Sequence, residues 1–178
     1  MTAALRVAAA LLLATSTIAR AQVPDGQFAD SGPRAPIRSV QPCVVQRIVD
    51  GDTISCRGLG SVRLIGIDSP ERNQKPFGRS AADALASMLR VGDTIQLERD
   101  VASRDRSRRL LAYAWRDGRM LNWLMVRGGW AVVLTIAPNV QFVDAFVTAQ
   151  HRAREEQRGL WAVDGFQCLP AERRRRVC

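Results

Sequence analysis

Short β-branched runs separated by turn residues constrain this chain more than any other feature. Val44, Val45, Ile48 and Val49 lead into Asp50-Gly51-Asp52, and Thr53-Ile54-Ser55 follows, a pattern that predicts a hairpin. Val62-Arg63-Leu64-Ile65-Gly66-Ile67 predicts a third strand, closed by Asp68-Ser69-Pro70. Residues 94–97 and 110–115 predict two more, with a turn at Asp117-Gly118. Ala81, Ala82, Leu85, Met88 and Leu89 recur at helical spacing, and Gly92 ends that segment. Residues 121–126 read as a short helix stopped by Gly128-Gly129. Pro138-Asn139 opens a last one that carries Val143, Phe146, Val147, Gln150 and Arg154 and stops at Gly159. Strands and helices do not alternate regularly, which excludes a doubly wound sheet. The order predicts an α+β fold, a small five-stranded β-barrel with about three helices as supports.

The N-terminus reads as an export signal over residues 1–21. Arg6 precedes an apolar run from Val7 to Ala14, and Ala19-Arg20-Ala21 is a small-x-small cleavage site. Even extended to Ile18, the run falls short of the ~20 residues a membrane-spanning helix needs. Pro24 and Gly26 follow at once, so no stable membrane anchor is expected, and a retained anchor is the alternative. Residues 22–41, rich in Pro, Gly, Asp and Ser, read as a linker before a domain at 42–162. All four cysteines, Cys43, Cys56, Cys168 and Cys178, lie beyond the cleavage site. None has C-x-x-C spacing, so an exported chain is expected to form two disulfides. Proximity in the chain favours Cys43–Cys56 with Cys168–Cys178.

The net charge is +9, from 26 basic and 17 acidic residues, and Lys75 is the only lysine. Guanidinium groups grip phosphate oxygens through a planar fork, so an arginine-rich surface suits a polyanion. A generally cationic surface explains the charge equally well. The tail, residues 163–178, ends in Arg173-Arg174-Arg175-Arg176 and is expected to be solvated and mobile.

The acids are more informative. Asp50 and Asp52 share a turn, Asp68 closes the third strand, and Glu71 lies just beyond Pro70. Strand ends converging on one barrel rim would bring these acids together, and a cation would relieve their repulsion. Oxygen-only ligands select Ca²⁺, Mg²⁺ or another hard divalent cation rather than zinc. Alone, Asp-Gly-Asp is explained as turn chemistry. Arg63 interrupts an apolar strand on the way to Asp68, which directs it toward the same rim. Residues 104–109 supply a second basic loop just before a strand.

Taken in order, Val49-Asp50-Gly51-Asp52-Thr53 and Val62 through Glu71 resemble the staphylococcal nuclease (thermonuclease) family. The likeness continues through Phe77-Gly78, Asp105 to Arg109 with Leu111-Ala112-Tyr113, Leu121-Asn122, Gly129-Trp130-Ala131 and Gly159-Leu160-Trp161. This resemblance implies an OB-fold barrel and hydrolysis of DNA and RNA with Ca²⁺. It implies that Asp52, Asp68 and the main-chain carbonyl of Ser69 hold the metal, with Asp50 just outside. It implies that Glu71 holds or activates the attacking water and that Arg63 and Arg109 clamp the reacting phosphate. DNA and RNA, preferably single-stranded, are the expected partners of a monomer. Ser107-Arg108 stands where the family usually has Tyr-Gly, which removes an aromatic and replaces a glycine. Tyr113 fits either the core or a ligand-facing position, whereas Asn122 reads as structural and His151 as a surface residue. The rival reading is an OB-fold nucleic-acid-binding module without chemistry; Asp52, Asp68, Glu71, Arg63 and Arg109 argue against it.

Overall fold

β1 (Gln41–Ile48) and β2 (Thr53–Cys56) form the expected hairpin around Asp50-Gly51-Asp52, with Ile48 opposite Ile54 and Val45 opposite Cys56. The computed structural model describes residues 32–34 and 40–178. The signal segment, residues 1–21, and most of the linker lie outside the described residues. β3 (Gly60–Leu64) returns antiparallel along β2.

The third strand is shorter than its β-branched run predicts. It breaks at Leu64, and β4 (Ile67–Asp68) leaves the barrel to pair with residues 132 and 133. Gly66 makes the break possible, with φ of +80°, a left-handed conformation that favours glycine. A Cβ there would also lie 2.3 Å from the ring of Phe146. This kink carries Asp68 off the strand line.

After α1 (Phe77–Met88), β5 (Thr94–Glu98) pairs with β1, and β6 (Leu110–Arg116) pairs with β5. β6 also runs parallel to β3, pairing Val62 with Leu110 and Leu64 with Ala112, which closes five strands into a barrel. The fold is the α+β OB-type barrel expected. Val45, Ile54, Val62, Leu64, Leu97 and Ala112 are buried in its core. β7 (Arg119–Met120) leads into α2 (Leu121–Arg127), and β8 (Val132–Val133) is the partner of β4. Asn122 ties these layers together. Its Oδ1 accepts the Ala114 N–H at 2.8 Å and its Nδ2 donates to the Ile65 carbonyl at 2.9 Å, which holds the kink against β6.

α3 (Val143–Glu155) packs Phe146 and Ala149 onto the core. It begins at Val143 rather than at Pro138-Asn139. Asn139 is buried, and its amide exchanges hydrogen bonds with the Ala102 main chain at 2.7 and 2.8 Å, so it staples a loop instead of opening a helix. A 3₁₀ turn, Gly159–Val163, follows. The tail then departs from expectation, because it folds into α4 (Pro170–Arg174). Cys43 is bonded to Cys56 and Cys168 to Cys178, the local pairing, and no described cysteine is free. Among the described residues, no helix is long and apolar enough to cross a membrane.

Candidate active site at the barrel rim

The hairpin turn and the β3–β4 kink bring the acids to one rim. Asp50 Oδ1 accepts the Asp52 N–H at 3.0 Å, which closes the turn locally. Gly51 is there for space as well. A Cβ would fall 2.8 Å from both Ala81 and Ser69, so only glycine lets the turn press against α1 and the β4 exit. Asp52 spans the two segments, accepting the Ser69 N–H at 2.7 Å and the Thr53 hydroxyl at 3.0 Å. Asp68, at the end of β4, is only 1% exposed.

Arg63 points to this rim, as its place in an apolar strand suggests. Its Nη2 lies 3.2 Å from Asp52 and 3.1 Å from Asp68. Its Nη1 donates to the carbonyls of Leu64 and Ile67 at 2.8 Å each. One guanidinium therefore bridges both acids and pins the kink that delivers Asp68. Glu71 is partly exposed on the loop before α1, where its N–H donates to Gln74 Oε1 at 2.9 Å.

Arg109 stands one residue before β6, the strand that the parallel register sets beside β3. Its guanidinium pairs with Asp105 at 2.7 Å rather than with the rim acids, and its N–H donates to the same carboxylate. Burial pushes the Asp105 carboxyl up, but the bonds from Arg109 outweigh this and hold it below the usual carboxylate range. Arg108 has a φ of +62°, a left-handed conformation that favours glycine. Tyr113 belongs to the core. Its hydroxyl donates to Asp100 at 2.9 Å, and its ring packs edge-on against Phe142. His151 is exposed beside Glu155.

Arg174 is the site residue that sequence reasoning missed. Its Nη2 lies 2.9 and 2.7 Å from the two Asp68 oxygens, and its Nη1 lies 3.2 Å from Glu71. No local pattern announces a contact that spans 106 positions in the chain.

The electrostatics follow from burial. Asp50 is pushed up to about 6, first by desolvation and then by the neighbouring charge of Asp52. Desolvation also raises Asp68, against the pull of Arg174 and Arg63. The Ser69 hydroxyl is buried without a hydrogen-bond partner, an orphaned oxygen against the acidic pair. Buried carboxylates, a buried hydroxyl and only oxygen donors fit a hard divalent cation, which would relieve their mutual repulsion. Asp52 and Asp68 are the buried carboxylates that could hold it, with Ser69 beside them.

The molecule is a closed OB-type barrel whose rim gathers buried acids around an arginine. The family model described as staphylococcal nuclease homologue matches residues 61–163, and the chain belongs to that family. It is similar to the thermonuclease of Staphylococcus hyicus, 31% identical over 126 residues that cover 66% of this chain and 74% of that protein. The thermonuclease of Staphylococcus intermedius is 32% identical over 126 residues, with the same coverage of 66% and 74%. The SPbeta prophage-derived endonuclease YokF of Bacillus subtilis is 32% identical over 132 residues, covering 68% of this chain and 44% of that one. The chain thus spans about three quarters of the thermonucleases and less than half of the prophage endonuclease.

Proposed function

We propose that this chain is an exported, monomeric, Ca²⁺-dependent nuclease that hydrolyses phosphodiester bonds in DNA and RNA, single strands most readily. The observation that carries this reading is the convergence of Asp52, Asp68, Ser69, Glu71 and Arg63 at one rim of the barrel. The thermonuclease and endonuclease names of the relatives support it. Asp52, Asp68 and the Ser69 carbonyl would hold Ca²⁺, or Mg²⁺ in its place. When bound, the cation supplies positive charge to the phosphoryl oxygens. Glu71 is the rim acid with access to solvent, and it aligns a water and accepts its proton. Arg109, partly exposed and held at its Nε by Asp105, would offer its remaining N–H groups to the phosphate. Arg63 would contribute positive charge to the same phosphate, and it bridges the two acids.

The test is cleavage of single-stranded DNA and RNA by the mature chain, with Ca²⁺ and then with chelator. Asp52→Ala should abolish metal-dependent turnover. Arg109→Ala should lose about 10² to 10⁵ in rate, and Lys at that position should rescue little. Glu71→Gln should bind substrate and cleave slowly. Uncut substrate would leave a binding module instead, whereas cutting that persists in both the Asp52→Ala and Arg109→Ala proteins would overturn this rim as the catalytic site.

A further inference from the structure

The tail is anchored, closed and aimed. Phe166 is buried against Trp161, at 4.6 Å between ring centroids, and joins a small cluster with Val132 and Leu160. Beyond that anchor, the Cys168–Cys178 disulfide closes a loop that contains α4. The Leu169 N–H donates to Glu172 at 2.9 Å, which fixes the start of α4. Arg174 then leaves the last turn of α4 and places two N–H prongs on Asp68 and one on Glu71.

Both oxygens of Asp68 are therefore taken by guanidinium N–H groups, with Arg63 adding a second contact to Oδ1. A carboxylate oxygen that accepts a guanidinium N–H at 2.7 Å has no room for a cation along the same lone pair. Behind the loop lies a cavity of about 170 Å³, lined by Pro70, Gln74, Lys75, Phe77, Gln167 and Arg173. Cys168 and Arg173 of the loop line this space, and Pro170 is the buried residue of α4, so withdrawing Arg174 from the rim breaks its ion pairs without uprooting the loop.

We propose that Arg174 is a tethered competitor for the cation, presented to Asp68 and Glu71 by the disulfide-closed loop. A cation taking Asp68 must displace it. This rests on the reading of Asp52 and Asp68 as cation ligands. The closed loop keeps the guanidinium at high local concentration beside Asp68, so the disulfide sets how strongly it competes. A displaced Arg174 finds a new partner in a nucleic-acid phosphate, which makes cation and polyanion binding mutually favourable.

Calorimetric titration of the mature chain with Ca²⁺ tests the idea without reference to activity. Arg174→Gln should bind Ca²⁺ about 5- to 150-fold more tightly than wild type, the range of ordinary coupling between sites. Cys168→Ser with Cys178→Ser should tighten binding by a smaller factor, because the loop is opened but the arginine is kept. Asp68→Asn should abolish the binding. In chelator, Arg174→Gln should melt below wild type, since Asp68 loses a counter-charge, and Ca²⁺ should close that gap. Asp68-dependent binding with the same or weaker affinity in Arg174→Gln overturns the competitor and leaves the cation site standing. No Asp68-dependent binding of Ca²⁺ or Mg²⁺ in either protein overturns the cation site, and the competitor with it.

Discussion

Arg63 and Arg109 are paired by resemblance as phosphate clamps, but the structure loads them differently. Arg63→Ala removes two charged-donor bonds to buried carbonyls, at Leu64 and Ile67, and two contacts to Asp52 and Asp68. Its side chain is 13% exposed, and those acids are 6% and 1% exposed, so solvent replaces little of what is lost. Removing one partner of a buried ionic cluster costs about 3–5 kcal/mol. Arg174 still neutralises Asp68, which places this case at the lower end, about 3 kcal/mol. Arg109→Ala breaks a pair whose arginine is 39% exposed, and such pairs contribute about 0.2–1 kcal/mol. Urea unfolding in chelator reads the difference directly, as a large midpoint shift for Arg63→Ala and a small one for Arg109→Ala, with an unchanged slope. Arg63→Lys should recover less than half, because an ammonium cannot reach acids and carbonyls together. If Arg63→Ala unfolds within about 1 kcal/mol of wild type, or Arg109→Ala costs as much as Arg63→Ala, then Arg63 does not hold the rim together.

Gly66→Ala should destabilise by about 2–4 kcal/mol in the same assay, since its Cβ meets the Phe146 ring and its φ is positive. Arg108→Gly should stabilise by up to about 1 kcal/mol in thermal melts, because it relieves a left-handed arginine. Asp50→Asn should stabilise the metal-free protein by up to about 3 kcal/mol above pH 6, where the wild-type carboxyl is ionised at a cost. The folded value, about 6, lies above the ordinary aspartate value of 3.8, so the gain should shrink as pH falls through this window and vanish below it. Melting curves of both proteins at pH 3.5, 5 and 8 would reveal a gain that failed to shrink.

The barrel was legible because its strands are short β-branched runs with clear turns, and Arg63 was legible as a charge inside one of them. The end of the third strand was not, because Ile65-Gly66-Ile67 continues an apolar pattern while the chain turns. That turn is held by partners from elsewhere in the fold, the Asn122 amide on the Ile65 carbonyl and the Phe146 ring against Gly66, together with the Arg63 guanidinium. The start of α3 was misplaced for a similar reason, since Asn139 spends its amide on Ala102 across the fold. Gly51 looked like turn chemistry, and its closeness to Ser69 and Ala81 appears only once α1 is in place. Arg174 sits in a run of four arginines whose solvated reading is sound for an isolated segment. The disulfide and the buried Phe166 change that segment's neighbours, and neither effect is local.

The β3–β6 seam has a further consequence. Only three residue pairs close the barrel there, Val62 with Leu110, Arg63 with Leu111 and Leu64 with Ala112, and α1 and β5 separate them along the chain. Hairpins β1–β2 and β2–β3 can zip from their own turns, whereas this parallel pairing waits for distant strands to meet. Arg63 lies within the seam and Arg109 abuts it. A chain with its hairpins formed but its barrel ajar would carry every acid and arginine and have no assembled rim. Topology thus makes competence all-or-none, arriving with the last stitch of the barrel.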